Sequence, residues 1–107
     1  MLQPSPFGAV AMLKSDFKKI NVNATFAGFR QRGIAKRITP HHFSVSDGRH
    51  YEIVRVRTSY KERVGDTHHI HFVVQTDQGA YFDIVYDSKE MIWYLVLEVE
   101  SNLFFND

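Results

Sequence analysis

From Ile20 the chain alternates: Ile20, Val22, Ala24 and Phe26 are separated by Asn21, Asn23 and Thr25. A period of two is that of a strand with one buried face. Gly28 and Gly33 bracket the basic stretch Phe29 to Arg32, which reads as the end of this strand and its turn. Ile34 to Ser46 is less regular, and Pro40 suits an edge or irregular strand. Asp47-Gly48 predicts a two-residue type I′ hairpin turn, whose central positions both need positive φ. HYEIVRVRTSY then reads as a strand, KERVGD as a polar turn and HHIHFVVQ as the next strand. Pairing Val54 with Val74, Val56 with Phe72 and Thr58 with Ile70 puts those side chains on one face. Arg55, Arg57, His69, His71, Val73 and Gln75 are left on the other.

The loop Asp77-Gln78-Gly79 predicts a three-residue hairpin with Gly79 left-handed, so that Val74 meets Phe82, Phe72 meets Ile84 and Ile70 meets Tyr86. Asp87 to Glu90 makes the last turn and MIWYLVLEV the last strand. Ile92, Tyr94 and Val96 continue the inner face, while Trp93, Leu95 and Leu97 are equally apolar on the reverse. Such a strand requires cover on both sides. Upstream, Ser5-Pro6 reads as an N-cap with proline at the first helical position, and Phe7, Val10, Leu13 and Phe17 approach helical spacing. That amphipathic segment is one candidate cover and a second subunit is the other. The pattern as a whole predicts one mainly β domain over residues 1–107. An N-terminal helical segment (1–19) precedes a five- to six-stranded antiparallel meander (20–100) forming a small barrel or roll, and a short tail (101–107) follows.

Composition narrows the function classes. Nine Phe, five Tyr and one Trp in 107 residues favour pleated, half-buried faces. The absence of cysteine excludes a disulfide framework and any thiolate zinc site. Apolar runs such as Met91 to Leu97 fall far short of the roughly 20 residues of a membrane helix, and the N-terminus lacks a basic start followed by a long apolar stretch, so a cytoplasmic protein with no membrane partner is expected. A formal charge of +1 gives no global argument for nucleic acid, leaving only local clusters to make one.

The string DGRHYEIVRV, preceded by Pro40 and Phe43 and followed by Arg63-Val64-Gly65, the aromatic strand YFDIVYD and the Trp-centred IWYLV, resembles small bacterial β-roll or barrel families without an assigned activity. The resemblance spans about Val22 to Val99 and rests on turn and core residues. It implies the β fold and no catalytic residue or cofactor.

Three readings of the chemistry remain. On a strand His69 and His71 point the same way, as two metal ligands would, and His68 points oppositely. In the proposed register Arg57, which opposes a cation, and Val85 flank His71, with Asp83 on the same face and His41 or His42 as further candidates. Alternatively, Arg55, Arg57, His69 and His71 with Tyr81 and Trp93 combine cationic and aromatic groups as single-strand nucleic-acid platforms do, and Arg30, Arg32, Lys36 and Arg37 add a second basic cluster. Asp83, Asp87, Glu98 and Glu100 weigh against it. The third reading, taken as the expectation, is a non-enzymatic binding or interaction module that pairs its doubly apolar last strand with a protein partner or a second copy of itself. No Ser-His-Asp order, phosphate loop or paired carboxylates in a recognisable context points to an enzyme.

Overall fold

The alternating segments form six strands: β1 (Lys18–Phe26), β2 (Ile38–Ser44), β3 (His50–Val64), β4 (Thr67–Thr76), β5 (Tyr81–Asp87) and β6 (Ile92–Val99). The structure is a computed structural model that describes residues 17–28 and 37–99. Residues 1–16 of the expected N-terminal helical segment, the tail, and Arg30, Arg32, Lys36 and Glu100 lie outside the described residues, and Lys18 and Lys19, expected to end that segment, belong to β1 instead. Each strand pairs antiparallel with the next, and Lys18, Lys19 and Ile20 pair with Leu95, Tyr94 and Trp93 to close the barrel. The strand edge expected to receive a partner is therefore used within the chain over Trp93 to Leu95. Among the described residues no helix is long and apolar enough to cross a membrane.

The interior is aromatic at both levels. Phe43 stacks on Tyr51 at 5.1 Å and meets Phe82 edge-on at 5.6 Å. Farther along, Trp93 lies 5.6 Å from Phe72 and 5.0 Å from Tyr86. Ile70, Val74 and Ile84, all fully buried, fill the space between. Such ring pairs contribute about 0.5–1.5 kcal/mol each beyond the area they bury. The β4–β5 register agrees with the sequence reading: Ile70, Phe72 and Val74 face Tyr86, Ile84 and Phe82.

Elsewhere the structure corrects the sequence reading. Strand β3 does not end at Tyr60 but runs to Val64, and only Gly65 and Asp66 turn the chain, with Gly65 at φ 63°. Bulges near Val54 and Arg57 then break the single expected register, so Val56 pairs with Val74, Ser59 with Phe72 and Tyr60 with His71. A bulge inserts an unpaired residue and resets the alternation, and Val54, expected inside, is left 60% exposed. The Asp47-Gly48 turn is a three-residue loop: Val45 N–H donates to Arg49 O, and only Gly48 has positive φ. In β6 the faces are exchanged at the start. Tyr86 pairs with Trp93 across the four-residue turn, so Trp93 enters the core while Tyr94 and Val96 join Val85 in a smaller outer cluster, covered in part by Phe17.

Gly79 has φ 82°, and a Cβ built on it meets nothing within 4 Å. The cost of Gly79→Ala is then the left-handed backbone alone, about 1–2 kcal/mol. Urea unfolding should show a lower midpoint with an unchanged slope.

Candidate metal centre

Strands β3, β4 and β5 lie side by side, and their outward residues form rows. One row is Glu62–His69–Asp87 and the next Tyr60–His71–Val85. His69 and His71, two apart on β4, point together as expected, and Glu62 is added from β3 because the second bulge shifts the tail of that strand. Each of Glu62, His69 and His71 offers a ligand atom, and the three atoms lie within 4.8 Å of one another. Glu62 Oε1 and His71 Nε2 are already 3.1 Å apart, close to the roughly 3.3 Å between neighbouring ligands that Zn–N and Zn–O bonds of about 2.0–2.1 Å imply in a tetrahedral site.

The two histidines differ in their support. His71 Nδ1–H donates to Asp83 across the strand pair, at 3.1 Å to Oδ1 and 3.3 Å to Oδ2. That hydrogen bond fixes the ring so that Nε2 points toward Glu62, the carboxylate–histidine arrangement that supports metal ligands. Tyr60 stacks on the same ring at 4.6 Å and 3°. His69 is 4% exposed, and its Nε2 is buried without a hydrogen bond; the nearest charge is Asp87 Oδ2 at 3.4 Å, outside hydrogen-bond geometry. Asp87 itself is committed to structure, its Oδ1 accepting from Thr67 Oγ1 and from the N–H groups of Lys89 and Glu90.

Burial alone lowers the His71 pKa, but the hydrogen bond and charge of Asp83, reinforced by Glu62, outweigh it and hold the group above the ordinary imidazole value. Burial, with the Asp83 and Glu62 charges, raises the Tyr60 phenol well above its ordinary value, keeping it neutral. A raised folded-state pKa stabilises the metal-free fold below the unfolded imidazole value of 6.5 and loses that contribution as pH rises through the folded value. Imidazole NMR titration of metal-free protein should therefore show His71 deprotonating above pH 6.5.

The other sequence-derived candidates disperse. Trp93, expected outward, is turned into the barrel, 8% exposed. Arg57, expected beside His71, stands at the β3 bulge, and Tyr60 takes its place. Arg55, Gln75 and Tyr81 share an outer row, farther along the strands from both histidines. His68 is exposed at the strand end, and Arg37 is exposed with its Nε donating to Ala27 O. The Arg–His–Trp platform is therefore not assembled as one surface. Sequence alone misses Glu62 because KERVGD reads as a polar turn; the signal that finds it is Gly65-Asp66, which alone closes the hairpin and extends β3 past Glu62. Comparison with protein-family models, curated proteins and solved structures finds no match for this chain.

Proposed function

We propose that this protein is a small non-enzymatic binding module whose ligand is a borderline divalent metal ion held by Glu62, His69 and His71. The observation that carries the reading is the convergence of three ligand atoms within 4.8 Å, one of them from a histidine whose Nε2 is buried with no hydrogen bond. Two imidazoles and one carboxylate favour Zn²⁺ or a neighbouring transition ion over Mg²⁺ or Ca²⁺, which take oxygen ligands. Asp83 and Asp87 add negative charge around the site, and the Arg57 that the sequence register set against a cation is displaced. Glu62 is the adjustable ligand. Its side chain is 55% exposed, so it can swing to the ion and leave a path for entry, while the histidines are held rigid by the sheet.

Calorimetric titration of the full chain with Zn²⁺ tests this. One tight equivalent should bind to the native protein with proton release, and Glu62→Ala with His69→Ala should remove it. Retention of that equivalent in the double variant would refute the assignment.

A further inference from the structure

We infer a second, independent cation site on the opposite stretch of β3, formed by His42, His50 and Glu52. One ligand atom from each lies within 4.8 Å of the others, and all three residues are described with side chains at or near the surface. The register explains the meeting. His42 on β2 pairs directly with Glu52 on β3, and His50 stands two residues before Glu52 on the same face. The β1–β2 register shifts between Asn23 and Ala24, which pair with His42 and Pro40, leaving His41 as the extra residue. This irregularity lets His41 and His42 both leave the core while Pro40 and Phe43 remain buried. His41 is then occupied separately, its Nε2 2.7 Å from Thr25 Oγ1. His42 is the one that turns toward the cluster, its ring 4.8 Å from that of His50.

The chemistry repeats that of the buried centre, two imidazoles and one glutamate, on a different part of the surface. His50 Nε2 and Glu52 Oε2 are 2.6 Å apart, and Asp77 Oδ1, which accepts from Glu52 N–H at 3.3 Å, adds negative charge nearby. Arg49, the residue before β3, is bound to Asp47 at 2.8 Å, which offsets its charge beside the cluster. His50 and Glu52 have about half their side-chain surface in water, 50% and 54%. Ordering two half-exposed side chains around an ion, in place of their own mutual contact, costs rotamer entropy that the buried His69 and His71 have already lost in folding, so binding here is weaker, by about tenfold or more. The ligand class is again a borderline transition ion, now reversibly exchanged at the surface. Four of the six histidines of the chain are thereby divided between two ion sites, with His41 and His68 left to other roles.

Imidazole ¹⁵N NMR of the full chain during Zn²⁺ titration tests this. Signals of His42 and His50 should move with a second equivalent, after those of His69 and His71 are complete. In His50→Ala, a surface change the fold tolerates, the second event should disappear while the first is unaltered. The inference is overturned if His42 and His50 do not shift at millimolar Zn²⁺. It is equally overturned if the second event persists in His50→Ala. Because each site is read on its own histidines, failure here leaves the buried centre to stand or fall separately.

Discussion

Phe72→Ala is expected to remove about 3–5 kcal/mol of stability, the range for truncating a fully buried aromatic and leaving its cavity. Phe72 is 0% exposed and touches Trp93 within the barrel, where strands on every side prevent the wall from collapsing inward. Against a total of roughly 5–15 kcal/mol for a small domain, this loss brings the protein near its threshold. Chemical denaturation should show a sharply lower midpoint at constant slope. A loss under about 1 kcal/mol would mean that Phe72 is not a central core residue.

His71→Ala has two large effects that can be separated. Removing the ring leaves Asp83, its side chain 9% exposed, without its charge partner; breaking a buried pair in this way costs about 3–5 kcal/mol. It also removes one of three metal ligands. Four-ligand zinc sites bind with roughly 10–16 kcal/mol, so each ligand carries about 3 kcal/mol, and affinity should fall on the order of 100-fold or more. Adding Asp83→Ala to His71→Ala removes the orphaned carboxylate as well. Much of the stability should then return, because replacing both partners is far less costly than replacing one, while metal binding should not. If metal affinity recovered together with stability, His71 would be acting through the fold and not as a ligand.

Much of the barrel was legible because Ile70, Phe72 and Val74 on β4 match Tyr86, Ile84 and Phe82 on β5 in one register, which the Asp77-Gln78-Gly79 loop sets. What escaped were the places where alternation is reset. The bulges at Val54 and Arg57 have no distinctive residue: Val-Arg-Val-Arg alternates as well in an unbroken strand as in a bulged one. Their consequence is large: together with the tight Gly65-Asp66 turn, which sets the register at the hairpin end, they exchange Arg57 for Tyr60 beside His71 and bring Glu62 to His69. Trp93 was misplaced for a similar reason. Met91 adopts φ 60°, uncommon for a non-glycine residue, which allows a four-residue turn and sets Trp93 opposite Tyr86. With both faces of β6 apolar, composition could not decide which side faced the core. The histidine pair was thus visible from its spacing and Asp83 on its face from the β4–β5 register, whereas Glu62, the third ligand, depended on how β3 was aligned with β4.

The most direct test of the central claim is imidazole NMR of the native chain at the first equivalent of Zn²⁺. The Glu62–His69–His71 centre predicts that both His69 and His71 signals shift to completion at that equivalent, with the His71 Nδ1 proton toward Asp83 retained. Saturation of a first binding event with His69 and His71 unmoved would contradict it.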